Sequence, residues 1–206
     1  VILTPVMSSQ SSFVILFDAQ NIPRKNLWVL LQAFDAFQVG KATLLYVFTD
    51  LDDPAGPALR DVVWRMSESA RHKLIVSKQA SAFGSFEDFN LNVLYNMADA
   101  LVLPSMNEGF GLPVLQALAV GCHPIVTDYA SLPELVGSFG RVILPSAFFV
   151  SEWGLRCAVL TPDRVLEALN TSFAEWQRGR FDVTWRAQAR QHAETFSWQR
   201  AAAGAR

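Results

Sequence analysis

The stretch Ala100–Thr127 reads ALVLPSMNEGFGLPVLQALAVGCHPIVT. It opens on a short apolar run, passes through a loop in which Gly109 and Gly111 flank Phe110, and continues as helix formers from Leu112 to Val120. It closes on a second apolar run from His123. Pro113 suits the first turn of a helix, where its missing N–H costs little. The two glycines can take a positive φ or let a ligand approach the backbone closely. Strand, loop, helix, strand within 28 residues is one βαβ unit, and the apolar runs do not alternate with polar residues. Such strands are buried on both faces, as in a parallel sheet covered by helices.

The same alternation extends outward. FVILF from Phe13, TLLYVF from Thr43, KLIV from Lys73 and GRVILP from Gly140 are further strand candidates. A helix is expected from about Leu27, where Leu27, Leu30, Leu31, Phe34 and Phe37 share one face. Others are expected over Leu59–Met66 and Phe86–Met97. The pattern predicts an α/β fold, a Rossmann-like doubly wound parallel sheet. Residues 1–12, with SSQSS, read as a linker or the end of a missing N-terminal domain. Residues 13–206 read as one domain whose tail, from about Pro162, is helical and anchored by Trp176, Trp185 and Trp198. With no Met at position 1, the chain reads as a piece of something longer.

Composition removes several functional classes. The 206 residues are 51% hydrophobic and 17% charged, with a formal net charge of −2. A chain that binds a phosphate backbone usually carries a basic stripe, and none is visible, so no nucleic-acid partner is expected. No apolar run approaches the length of a membrane span. Cys122 and Cys157 are the only cysteines; they make no disulfide framework, and a reducing, cytoplasmic setting is expected. His72, His123 and His192 have no ligand spacing, so no metal site is expected. There is no GxSxG, HExxH or P-loop.

Ligands in an open parallel sheet sit beyond the carboxyl ends of the strands, and two stretches fall there. Arg24 and Lys25 precede the first helix, with Asn26 as its expected N-cap. Two cations beside free helix N–H groups suit a diphosphate, although a solvated surface pair reads equally well. Glu108 stands before the glycines and can accept from sugar hydroxyls or serve as a helix-dipole acid. Gln116, one turn into an apolar helix, is expected to lean back toward the loop of Glu108. It is a core amide or a partner for a ligand diol. SLPE from Ser131 has capping-box spacing with Glu134. Asp128, at a strand end, is a weaker candidate.

The stretch Met97–Gly137, MADALVLPSMNEGFGLPVLQALAVGCHPIVTDYASLPELVG, strongly resembles the C-terminal, donor-binding domain of GT-B-fold retaining glycosyltransferases of group 1, family four. FVILFDAQNIPRKNLWVLLQAF, from Phe13, resembles its opening strand, diphosphate loop and helix, and HAETFSWQRAA, from His192, its closing helix. The resemblance implies two Rossmann-like domains around a cleft, with the N-terminal acceptor domain missing here. It implies metal-independent binding of a nucleotide-diphospho-sugar, held as a substrate with no cofactor, and transfer of the sugar to a glycan or other acceptor. Glu108 would meet the donor sugar, and the backbone of Gly109, Phe110, Gly111 and Leu112 would approach sugar and phosphates. Lys25 and Arg24 would neutralise the departing diphosphate.

Two departures stand out. The family's second motif acid, eight residues after the first, binds the ribose, and here that position is Gln116. FDAQN stands where a Gly-Arg pair usually ends the first strand, and Arg24 is a candidate replacement cation. Both departures keep a second reading open, a catalytically silent nucleotide-sugar-binding or scaffolding domain. A GT-B phosphorylase or epimerase is a third, without a signature for a pyridoxal-phosphate lysine.

Overall fold

A computed structural model describes residues 12–54, 56–77, 88–197, 199–200 and 202. Residues 1–11 of the expected linker, the segment after KLIVS and Trp198 lie outside the described residues. Six parallel strands carry the domain: β1 (Phe13–Asp18), β2 (Thr43–Phe48), β3 (Leu74–Ser77), β4 (Ala100–Leu103), β5 (His123–Thr127) and β6 (Arg141–Ile143). They lie in the order β3-β2-β1-β4-β5-β6. Every residue of β4 and β5 is buried, including His123 and Thr127 at the ends of β5. The chain runs outward from β1 to β3, returns to the centre, and runs outward again from β4 to β6. The order of strands therefore reverses between β1 and β4, where Ile15 pairs with Ala100 and Leu16 with Leu101.

Right-handed crossovers in opposite directions place helices on both faces. Helix α1 (Leu27–Phe37) follows β1; α2 (Arg60–Arg65) and α3 (Glu68–His72) precede β3. Helix α4 (Asp88–Met97) precedes β4, α5 (Leu112–Val120) follows it, and α6 (Leu132–Val136) follows β5. The tail forms α7 (Pro162–Gln177) and α8 (Val183–Glu194). Helix α7 packs along α1, and α8 along α5. Two of the expected anchors tie the tail to the sheet: Trp176 sits 5.3 Å, ring to ring, from Phe13 of β1, and Trp185 5.7 Å from His123 of β5. Gly121, at φ +77°, ends α5 where a Cβ would lie 2.7 Å from the Cβ of Arg186, so it permits both the turn and the close approach of α8.

Helix α3 and a hairpin escaped the sequence reading. Between β6 and α7 the chain makes an antiparallel hairpin, β7 (Ala147–Val150) and β8 (Arg156–Val159). The hairpin is docked on the central loop, where the Ala158 N–H donates to Met106 O at 2.8 Å.

Candidate active site

The reversal point sets the site. The loops leaving β1 and β4 start side by side at the carboxyl edge of the sheet, and they are stitched together. The Met106 N–H donates to Arg24 O at 2.7 Å. After β1, Pro23–Lys25 forms a single 3-10 turn, closed by the Lys25 N–H donating to Ile22 O at 3.0 Å. That turn presents Arg24 and Lys25 to the loop after β4. Arg24 Nη1 donates to Asn107 O and to Glu108 Oε2, each at 3.2 Å. Lys25 Nζ is in short contact with Glu108 Oε1. Ser105 Oγ donates to the same oxygen at 2.8 Å. Glu108 is buried, so its charge is tolerated because two cations and a hydroxyl surround it. Sequence reasoning named Arg24, Lys25 and Glu108, and the fold brings all three together across more than eighty residues of chain.

Asn26 occupies the N-cap position of α1 but does not cap it. It is left-handed, at φ 59°, and its side chain makes no capping bond. It is 1% exposed, and neither polar end of its side chain has a partner among the described residues. The left-handed turn carries the chain from the 3-10 turn into α1, and this aims the side chain away from the helix amides.

The glycine loop is held from the other side. Gly111 takes φ +103°, and a Cβ there would lie 3.0 Å from Leu132. Gly109 is not left-handed; a Cβ there would meet nothing within 4 Å. The missing side chain at 109 thus leaves access rather than a special turn. Ser131 was expected to cap α6 in a box with Glu134, but it makes no side-chain cap. Its hydroxyl donates instead to Phe110 O at 2.6 Å, with Glu108 O at 3.3 Å. The preceding Ala130 is left-handed at φ 57°, a conformation that costs an L-residue about 1 kcal/mol. Phe110 and Leu112 are exposed and line an apolar cavity of about 610 Å³ with Leu115 and Phe196.

Gln116 departs from expectation. Among the described residues it makes no hydrogen bond to the loop of Glu108 and bonds to Tyr95 of α4 instead. Its Oε1 lies 3.2 Å from the Tyr95 hydroxyl, which also lies 2.7 Å from Asp18 Oδ2. Asp128, the weaker candidate, donates its backbone N–H to Ile143 O at 2.9 Å, a link from β5 to β6. His123 is structural. Its Nε2 lies 3.2 Å from Ser172 Oγ. Burial, then the nearby Arg141 and Arg180, push its pKa down to about 3. Among the described residues no three His, Cys, Asp or Glu side chains form a group that could hold a metal, and no helix is long and apolar enough to cross a membrane.

Ser105, Asn107 and Ser131 were missed. Ser105 and Ser131 lay inside quoted motifs, but a hydroxyl's partner three or twenty residues away leaves no periodic signal. Asn107 Nδ2 donates to Arg156 O of the unforeseen hairpin at 2.9 Å.

Comparison with known proteins bears on the family and the fold. Residues 7–147 match the family model described as glycosyl transferases group 1. Over 128 residues the chain is 32% identical to an O-antigen chain mannosyltransferase B of Escherichia coli, a match covering 60% of this chain and 31% of that protein. It is 28% identical over 136 residues to an MMP α-(1→4)-mannosyltransferase of Mycolicibacterium hassiacum, covering 65% and 31%. The chain thus spans about a third of the length of these curated relatives. Among solved structures, the C-terminal domain of a group 1 family glycosyl transferase from Francisella tularensis superposes with TM-score 0.60 at 18% identity, covering 88% of this chain and 82% of that one. The fold is that of a Rossmann-like half of the GT-B architecture.

Proposed function

The chain belongs to the glycosyl transferases of group 1, and from that premise we propose that it is the donor-binding half of an enzyme that transfers a sugar from a nucleotide-diphospho-sugar to an acceptor, with retention at the anomeric carbon. The observation that carries this reading is the meeting of Arg24, Lys25 and Glu108 at the β1/β4 reversal point, where doubly wound sheets bind ligands.

The chemistry follows from the ion pairs. Without ligand, the two cations are satisfied by Glu108. A diphosphate offers Lys25 and Arg24 a more highly charged partner, backed by the N-terminus of α1. As they turn to it, Glu108 is released to accept from the donor sugar's hydroxyls. Gly109 leaves room for the sugar, and the backbone from Gly109 to Leu112 lies alongside it. Gln116 meets the ribose. When the glycosidic bond to the diphosphate breaks, the negative charge grows on the leaving oxygens, and Lys25 and Arg24 stabilise it. No metal or cofactor takes part. The acceptor, a glycan or another hydroxyl compound, enters from a separate N-terminal domain in a cytoplasmic protein. The names of the relatives make a mannose donor the first to try.

Calorimetry of this chain with GDP-, UDP- and ADP-sugars tests the reading. Saturable binding to one of them, weakened in Lys25→Ala, is expected, with little or no transfer by the 206 residues alone. Absence of binding to all three would remove the donor role. The second reading, a silent binding domain, is favoured by Gln116 and by FDAQN in place of the usual Gly-Arg pair. Donor binding without transfer or donor hydrolysis in the full-length protein would establish it.

A further inference from the structure

A third cation flanks the loop of Glu108, on the side away from Arg24 and Lys25. In the strand order, β1 lies on one side of β4, and β5 and β6 lie on the other. Arg24 and Lys25 follow β1, whereas Tyr129 follows β5 and the β7–β8 hairpin follows β6. The segments that carry Tyr129 and the hairpin are both hydrogen-bonded to the loop of Glu108. Asn107 Nδ2 donates to Arg156 O of β8 at 2.9 Å, and Ser131, two residues after Tyr129, donates to Phe110 O at 2.6 Å.

Residues opposite each other in an antiparallel pair share a face. Phe148 stands opposite Ala158, and Val150 opposite Arg156, so Phe148 and Arg156 lie diagonally on one face of the hairpin. The Arg156 guanidinium lies over the Phe148 ring, 4.0 Å from its centroid, and 6.0 Å from the centroid of Tyr129. Tyr129 in turn tilts against Phe148 at 5.0 Å. Stacking fixes the plane of a guanidinium and leaves its N–H donors at the rim. Arg141 spends its donors on Ser172 and Glu175, but among the described residues no carboxylate pairs with Arg156. Arg156 and Phe148 are exposed, so this face is open to a ligand.

We propose that Tyr129, Phe148 and Arg156 form an acceptor subsite on the donor-binding half, one that takes a sugar ring bearing a phosphate or a carboxylate. The inference rests on the donor-binding reading and names the class of acceptor. In that reading the donor's diphosphate lies between β1 and β4, where Arg24 and Lys25 answer its charge. A fixed guanidinium on the opposite flank of the same loop calls for a second anion, and the second substrate is what brings one. A planar fork of donors suits the paired oxygens of a carboxylate or phosphate. The exposed parts of Phe148 and Val150 beside it suit the apolar face of a sugar ring. An acceptor held there lies next to the loop that meets the donor sugar.

The test is NMR titration of the 206-residue chain, first saturated with whichever of GDP, UDP and ADP binds it best, so that the diphosphate site is filled. Mannose 6-phosphate, glucuronic acid, methyl α-mannoside and inorganic phosphate are then added separately. One of the two anionic sugars is expected to shift the signals of Tyr129, Phe148 and Arg156 saturably, and to bind about tenfold more tightly than methyl α-mannoside or inorganic phosphate. Arg156→Gln is expected to lose about tenfold in affinity for that sugar, the range of a hydrogen bond to a charged group, while its binding of the nucleoside diphosphate reports that it is folded. Anionic sugars that bind no more tightly than methyl α-mannoside, inorganic phosphate that binds as tightly as the sugar, or an Arg156→Gln chain with unchanged affinity would overturn the subsite and leave the donor reading standing. If none of the three diphosphates binds the wild-type chain, the donor reading itself fails and the subsite with it.

Discussion

The two edges of the sheet both hold charged residues and satisfy them differently. At the amino edge, Asp99 accepts from the Val14 N–H at 2.9 Å and from Trp176 Nε1 at 3.0 Å. His123 is held neutral against Phe181, and Arg141 donates to Ser172 and Glu175. Most of these partners belong to β1 and α7, elements fixed by the core; Val14 and Trp176 are neutral donors, and Arg141–Glu175 is an ion pair at 2.7 Å. At the carboxyl edge, Glu108 is held by two cations and a hydroxyl that all come from loops. Partners carried by core elements make a structural joint. Opposed charges on loops make a set of contacts that a ligand with its own charge can replace. The buried hydroxyls of Thr49 and Thr127, without partners among the described residues, also lie at the carboxyl ends of strands.

The contrast can be broken hardest at the amino edge, by acid. His123 has a folded pKa of about 3, against about 6.5 in an unfolded chain. As pH falls below 6.5 the unfolded state takes up the proton first. Stability that is complete above pH 6.5 is therefore lost progressively toward pH 3, by about 1.4 kcal/mol per unit and roughly 4 kcal/mol in all. The carboxyl of Asp99, raised by burial, works the other way over the acid part of that range. Urea unfolding of wild type and His123→Phe between pH 7 and pH 4 isolates the histidine, and the variant is expected to show the smaller loss.

At the carboxyl edge, Lys25→Ala is expected to weaken nucleotide-diphospho-sugar binding by about 10- to 100-fold, the range of a hydrogen bond to a charged group, while His123→Phe leaves binding unchanged at pH 7. Titration calorimetry reads both. Ser131→Ala sharpens the comparison further, because it releases the glycine loop without touching a charge. A loss of about fivefold in donor affinity is expected, from one hydrogen bond, with recovery in Ser131→Thr. The smallest effect belongs to the neighbouring turn. Ala130→Gly relieves a left-handed alanine at some cost in unfolded-chain entropy, and a net gain of about 0.5 kcal/mol is expected, a rise in Tm of roughly 1–2 °C. It would be read by calorimetric scanning.

Much of this arrangement was written in the sequence, and the unwritten parts share a cause. The strands were legible because burial on both faces leaves unbroken Val, Ile and Leu runs. Arg24, Lys25 and Glu108 were legible because short motifs mark the ends of β1 and β4, and a parallel sheet puts those ends together. Gln116 was legible as an oddity but its partner was not. Tyr95 looks like one more amphipathic helix residue until α4 is laid against α5. Asn26 and Ser131 satisfy the composition rules for caps, yet neither caps. The backbone path at 26 turns the first away, and the Phe110 carbonyl offers the second a better partner. The β7–β8 hairpin escaped because AFFV and RCAV are short and irregular, and a two-stranded ribbon depends on the loop beneath it for stability. Local pattern thus located the elements, while polar pairing across loops appeared only in three dimensions.

The central claim is that the Glu108 ion pairs stand in for a diphosphate. A crystal structure of this chain with the nucleoside diphosphate that binds it best tests this most directly. The account predicts phosphate oxygens within hydrogen-bonding distance of Lys25 Nζ and the Arg24 guanidinium at the N-terminus of α1, with the Lys25–Glu108 contact opened. A diphosphate bound elsewhere, with Lys25 and Arg24 still paired to Glu108, would contradict it.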